Sequence, residues 1–293
     1  MKFVFIALLL ILNLFWLHDE KKNIGQISQD KVLNQIINFK NTLPPISLSQ
    51  ISPTISAQNY ILIDVSTNKI LLSKNSTNLI YPASTTKLIT ALTALNIYPL
   101  DEVITVREKY EIGKVMDLEV GEKISIRSLV EALLVHSAND AAYNLAYHHN
   151  QGIPGFIEQM NNLMVKNNIR QSHFTNYDGI HQTNHYSTVY DLSQIARLAI
   201  KNDIVTDISQ KKEITVSDIS GHKSHLLTST NELLGVSPEV KGLKTGWTPE
   251  AGGCFISLLE FNNRQFISVV ARSEDRFADT QKIIDWLKNN VIW

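Results

Sequence analysis

Cysteine is almost missing from this chain: Cys254 is the single one in 293 residues. One thiol closes no intramolecular disulfide, so a disulfide scaffold is excluded. An excess of either charge is missing too, with 27 basic against 28 acidic side chains and a formal net charge of -1. With no long basic run either, a nucleic-acid partner is not expected. The nine histidines contain no H-E-x-x-H and no cluster at metal-ligand spacing, so neither a metal nor another cofactor is expected. Internal repeats are absent. The N-terminal apolar run, Phe3 to Leu17 broken at Asn13, falls short of the ~20 residues of a spanning helix and suits the apolar region of an export signal. A small-x-small cleavage site is lacking, since His18, Asp19 and Glu20 follow. Residues 1–22 therefore read as a signal peptide or a retained N-terminal membrane anchor, with Trp16 near the interface. Either reading implies export, to the periplasm or another extracytoplasmic part of the envelope.

What is present describes a folded domain. Hydrophobic residues make up 44% and charged residues 19%, and the length suits one large domain or two small ones. Residues 23–55 are polar and mixed, with Pro44, Pro45 and Pro53, and read as a spacer; residues 56–293 read as the domain. "NYILIDV" and "ILLS" read as a hairpin with Asn68 as a left-handed turn residue. A helix with Leu88, Leu92 and Leu95 follows Ser84. The stretch from about Asp101 to Lys212 reads as mostly helical, including an amphipathic helix around Phe156, Met160, Leu163 and Met164. A further helix starts at a Ser187 or Thr188 cap. "GGCFISLLEF" and "QFISVVARS" flank "NNR" as a second hairpin. A last amphipathic helix is expected behind Ser273 as N-cap, with the acidic run at 274–279 as a solvated first turn. The order strand pair, helix block, strand block, final helix predicts an α+β fold. Its first and last strands share one sheet, and its helical block forms a second lobe across a cleft.

Three short motifs carry chemistry. In "YPASTTKLITAL", Ser84 and Lys87 stand at i and i+3, neighbours on one helix face. Taken alone, the pair reads as a helix cap beside a solvated lysine. As a catalytic pair it needs a lysine depressed far below ~10.4, by burial or by a second cation. "HSANDAA" holds Ser137-Ala138-Asn139, and "VKGLKTGWTPEAGGCF" holds Lys244-Thr245-Gly246 before a strand-like run. Each motif is weak alone. Together and in this order they form a strong signature.

On these residues the chain resembles the serine D-alanyl-D-alanine carboxypeptidases, the low-molecular-mass penicillin-binding proteins. The likeness runs from about residue 57 to 290 and includes "YILIDVSTNKILLSKN", "HYSTVYDLSQIAR" and "TSTNELL". It implies the β-lactamase/DD-peptidase-like fold, a mainly antiparallel sheet flanked by terminal helices plus an all-helical lobe, with the active site between them. It also implies peptidoglycan stem peptides as substrates and β-lactams as covalent inhibitors. Ser84 is then the nucleophile, Lys87 its base and Ser137 the proton relay to the leaving amine. Asn139 binds the substrate backbone and orients Lys87. Lys244 and Thr245 receive the terminal carboxylate, and Lys244 helps keep Lys87 neutral. Gly246 admits the substrate backbone, and the N–H groups of Ser84 and Trp247 form the oxyanion hole. Three other readings stay open: a DD-endopeptidase of cross-links, a β-lactamase of the same fold, and a non-catalytic binding protein. The triplet is S-A-N, not S-D-N, and no E-x-x-L-N stretch supplies a deacylating glutamate; Glu158 lacks that context. Fast β-lactam hydrolysis is therefore not expected.

Other candidates receive structural readings. Cys254 is expected to be a small buried apolar side chain, and His136 to be structural or partly exposed. His181 and His185 are placed on a loop at the cleft edge.

Overall fold

Both hairpins expected from sequence form, and both lie in one sheet. The computed structural model describes residues 43–49 and 51–293. The signal or anchor reading of 1–22 and most of the spacer fall outside these residues. Pro44–Trp293 pack as one unit.

Five antiparallel strands form the central sheet in the order β3-β2-β10-β9-β8. They are β2 (Asn59–Asp64), β3 (Ile70–Lys74), β8 (Val240–Thr248), β9 (Gly252–Phe261) and β10 (Arg264–Ser273). Asn68 turns the first hairpin at φ 57°, and Asn262 and Asn263 turn the β9–β10 hairpin at φ 49° and 60°. Asparagine tolerates this left-handed backbone, which suits the twist of a tight hairpin. β2 is buried along its whole length because both faces of the sheet are covered. Ile61 and Ile63 point into one core with the helical lobe, and Tyr60 and Leu62 into another under the last helix. That helix, α7 (Arg276–Asn290), supplies Ile283, Ile284, Trp286 and Leu287 to the second core. The short strand β1 (Ile46–Ser47) pairs with β11 (Val291–Ile292).

The lobe comprises α1 (Lys87–Ile97), α2 (Ile126–Val135), α3 (Asn139–Tyr147), α4 (Gly152–Lys166), α5 (Val189–Ala199) and α6 (Asp203–Ser209). Leu88, Ile89, Ala91 and Ala94 of α1 are fully buried, so α1 is the helix around which the lobe packs. Thr188, the expected cap of α5, accepts from Asp191 N. The middle region is less helical than its composition suggests. A two-stranded ribbon, β4 (Val103–Thr105) with β5 (Lys123–Ser125), brackets the irregular segment 106–122. A second hairpin, β6 (Glu213–Ser217) with β7 (Ser224–Thr228), follows the lobe.

Two expectations at α7 fail. Its N-cap is Asp275, which accepts from Phe277 N and Ala278 N, rather than Ser273. Nor is the acidic run solvated throughout. Asp279 is buried and accepts from Ser56 N, Ser56 Oγ, Ala57 N and Ser273 Oγ. A carboxylate gathering four donors holds the start of the domain to α7, and no pattern of sequence charge reveals it.

Among the described residues, no helix is long and apolar enough to cross a membrane. Among the same residues, no group of three or more His, Cys, Asp or Glu is placed to hold a metal.

Candidate active site

The Ser84 turn is a single 3-10 turn, Ala83–Thr86, entered from Pro82 and running straight into α1. Ser84 makes no cap hydrogen bond with its side chain, so the helix-cap reading fails. Thr85 Oγ1 ties the turn down instead, donating to Pro82 O at 2.5 Å. Ala83 sits at φ 49°, a conformation L-residues avoid. Lys87 follows one turn after Ser84 and is 0% exposed. Its Nζ donates to Ser84 Oγ at 3.1 Å and to Asp178 O at 2.7 Å. Spacing i, i+3 thus places an amine on the serine hydroxyl, and the second bond fixes where the amine points.

Two glycines press backbone against this turn. A Cβ on Gly246 would lie 2.8 Å from Ser84 N and 3.0 Å from Thr85 N. Strand β8 therefore touches the amide side of the Ser84 turn, and the glycine is required by the protein's own backbone as well as by any ligand. Gly179, at φ 86°, approaches from the other side, and a Cβ there would fall 1.8 Å from Ala83 O.

Ser137 occupies the break between α2 and α3 at φ 66° and is buried. Asn139 opens α3. Its Nδ2 donates to Ile112 O at 2.8 Å and its backbone N–H to Lys114 O at 2.7 Å. Asp140 continues the clasp, accepting from Met116 N and Leu118 N. The second motif therefore straps the irregular segment 106–122 to the lobe. The end of α2 just before it is linked to the third motif. Thr230 N donates to Val135 O at 3.2 Å, and Thr230 Oγ1 lies 2.6 Å from Thr245 Oγ1. Trp247, next along β8, leaves its ring largely exposed.

Lys244 is as buried as Lys87, and its Nζ donates to Thr245 O at 3.0 Å. Burial pulls Lys87 down to about 8, opposed by the charges of Asp178 and Asp140. Burial also carries Lys244 well below the ordinary lysine range, with Lys87, Lys114 and Arg276 adding like-charge repulsion. This departs from the sequence expectation that Lys244 helps keep Lys87 neutral: burial alone lowers Lys87, and the like-charge repulsion between the two falls on Lys244.

His185 is not at the cleft surface. It is buried, its Nδ1 accepts from Thr175 N at 3.1 Å, and its Nε2–H therefore donates to Thr86 Oγ1 at 2.9 Å. Burial lowers it to about 4, so it is a neutral brace behind the Ser84 turn. His181 packs edge-on against Tyr81. His136 is half-buried with Nδ1 on Thr228 O, and Cys254 is fully buried with Sγ toward Tyr81 O, both as expected. Burial pushes the Cys254 thiol up to about 12. Sequence reasoning passed over Asp178, Gly179, Tyr110 and Thr230. The D-G dipeptide at 178–179 carries an ordinary turn signal, but nothing local says that this turn meets a lysine 91 residues earlier.

The family model described as D-alanyl-D-alanine carboxypeptidase matches residues 47–274, a span that contains all three motifs. The chain belongs to that family. It is 28% identical over 240 residues to the D-alanyl-D-alanine carboxypeptidase DacF of Bacillus subtilis, covering 78% of this chain and 61% of that protein. It is 30% identical over 263 residues to DacD of Escherichia coli K12, covering 84% of this chain and 66% of that protein. This chain thus spans somewhat under two thirds of these curated relatives. The crystal structure of the Streptomyces K15 DD-transpeptidase superposes with a TM-score of 0.77 at 28% identity, covering 80% of this chain and 98% of that one. The α+β sheet-and-lobe fold expected from the motifs is therefore the fold of the family's solved members.

Proposed function

We propose that this chain is an exported serine DD-peptidase that removes the terminal D-Ala from peptidoglycan stem pentapeptides through a Ser84 acyl-enzyme. The observation that carries this reading is the 3.1 Å bond from Lys87 Nζ to Ser84 Oγ, made by a lysine that is fully buried. A buried amine lowered to about 8 has a substantial neutral fraction near physiological pH, and so acts as a general base.

In the proposed reaction, Ser84 Oγ attacks the carbonyl carbon of the penultimate D-Ala as its proton passes to Lys87 Nζ. The carbonyl π pair moves to oxygen, which the N–H groups of Ser84 and Trp247 receive. The C–N bond then breaks, with Ser137 relaying a proton to the departing amine. Water hydrolyses the ester. The terminal carboxylate rests against Lys244 and Thr245, and its charge would restore a proton to Lys244. Asn139 holds the substrate backbone while strapping the segment beside it. β-Lactams enter the same path as covalent inhibitors, and the absent E-x-x-L-N stretch favours a slowly released acyl-enzyme over β-lactamase turnover.

Fluorescent penicillin followed by digestion of purified muropeptides tests this. Wild type takes covalent label, Ser84→Ala takes none, and pentapeptides lose a terminal D-Ala by mass. A wild-type protein without label overturns the catalytic reading. Cleavage of dimers alone assigns it as an endopeptidase, and rapid nitrocefin turnover as a β-lactamase.

A further inference from the structure

Lys87 has a second partner that the three motifs do not account for. We propose that Asp178 is a positioning residue for this lysine: its backbone carbonyl aims the amine at Ser84, and its carboxylate, anchored by Tyr110, stabilises the ammonium formed during acylation. The inference rests on the reading of Lys87 as the base.

Asp178 O accepts from Lys87 Nζ at 2.7 Å, and Asp178 is 3% exposed. Its carboxylate is held from two sides. Oδ2 accepts from Tyr110 OH at 2.9 Å, and Oδ1 accepts from Ile180 N at 3.0 Å. The phenol is itself fixed. Tyr110 stacks on Tyr143 at 4.9 Å and meets the edge of Tyr177 at 6.3 Å, and Tyr143 stacks on Tyr147 at 5.5 Å. The segment that carries Tyr110 is the one clasped by Asn139 and Asp140. Burial, followed by the charge of Asp178, raises the Tyr110 phenol, so it stays a donor throughout the working range. The groups that face Lys87 are Ser84 from the 3-10 turn, Asp178 from the 178–179 loop, Asp140 from α3 and Lys244 from β8.

The chemistry follows from the proton's path. In the reactive fraction Lys87 is neutral before acylation, and it becomes cationic as it takes the Ser84 proton. A cation appearing in a fully buried site is costly unless an opposite charge lies near. Asp178 and Asp140 are the carboxylates whose charge reaches Lys87, and only Asp178 also bonds its amine. Nucleophile, base and orienting group thus form a chain, with lysine where a catalytic histidine would stand. The competing account makes Asp178 a staple of its own loop, through Ile180 N. The two accounts differ in what happens to the titration of Lys87.

The test measures the second-order rate of acylation by a fluorescent penicillin between pH 5.5 and 10, for wild type, Asp178→Asn and Tyr110→Phe, with circular dichroism as the check on folding. The wild-type rate rises through an acid limb near the Lys87 value of about 8. Asp178→Asn keeps the carbonyl but loses the charge, so the limb moves down by about one pH unit and the plateau falls by about tenfold or more. Tyr110→Phe removes the donor that draws charge away from Lys87, so the limb moves up. Opposite shifts in the two variants support the proposal, and if Asp178→Asn does not fold, the upward shift in Tyr110→Phe decides alone. Limbs left at the wild-type position in the folded variants overturn it, even where the plateau falls, because a loop staple does not titrate the lysine. If wild type takes no label at any pH, the catalytic reading fails and the proposal falls with it.

Discussion

Two buried charge clusters in this protein are built on opposite plans. At the far end of the sheet, Arg264 Nε donates to Asp64 Oδ2 at 2.6 Å and Arg264 Nη2 to Asp64 Oδ1 at 3.0 Å. Ser66 and Thr67 complete the carboxylate shell, and the two charged side chains are 2% and 0% exposed. The cluster is neutral overall and saturated with bonds. In the cleft, Lys87 and Lys244 are equally buried but share a sign, and each donates to a backbone carbonyl. Burial works on both clusters, but only in the first does compensation prevail, since Asp178 and Asp140 offset part of the burial at Lys87. Its hydrogen bonds from Arg264, Thr67 and Ser66 overcome desolvation and hold Asp64 below the usual carboxylate range. The lysines are left depressed. The first arrangement yields rigidity, and the second yields an amine ready to accept a proton at the expense of stability.

The contrast is broken most severely at the lysine. Lys87→Met should lower the rate of penicillin acylation by about a thousandfold or more, as loss of a general base does, and should also make the protein more stable. Lys87 moves from the ordinary 10.5 down to about 8 on folding, so between these values the unfolded chain holds the extra proton. Stability of the wild type therefore rises as pH increases from 8 to 10.5, and below pH 8 the protein carries the full cost, about 3 kcal/mol. Urea unfolding at pH 7 should show the gain in Lys87→Met, and the rise across the alkaline window should lose the share of Lys87 while that of Lys244 remains. A variant less stable than wild type at pH 7 sinks this account of the cleft.

Arg264→Met is the mirror experiment. It leaves Asp64 buried without its cation, and should cost about 3–5 kcal/mol in the same urea titration, while Ser84 still takes label where the variant remains folded. The sign at low pH is also set. Asp64 is depressed on folding, so its stabilisation is present above the unfolded carboxylate value and is lost as pH falls through the lowered one. The variant should lack that acid dependence. Asp275→Ala is the smallest of the three, removing the cap of α7. It should lower stability by about 1 kcal/mol with little effect on acylation, and a large acylation effect would mean that the cap also acts on Lys244 through Arg276.

These two clusters also mark what a sequence reader can and cannot see. Short-range rules found the hairpins, because Asn68 and the Asn262–Asn263 pair carry their own backbone preference. They found the serine–lysine pair, because i and i+3 are fixed by a single helical turn. They missed Asp64 with Arg264 and Asp178 with Lys87, whose partners lie 200 and 91 residues apart and meet through the sheet and the lobe. Gly246 was recognised as a point of close backbone approach but with part of the reason absent, since the atoms a Cβ would strike belong to the protein's own Ser84 turn. The Ser84 cap, the Ser273 cap and the solvated Asp279 failed for a common reason. Each rested on what a residue type usually does at a helix start, and tertiary neighbours decided otherwise.

The position of β8 has one more consequence. It is an outer strand of the five-stranded sheet, the kind of edge along which another extended chain can pair and begin to aggregate. Here the Ser84 turn presses on it at Gly246, and Thr230 grips it at Thr245. Both contacts run through side-chain positions on the faces of β8, so they hold the strand in place without pairing its outer edge.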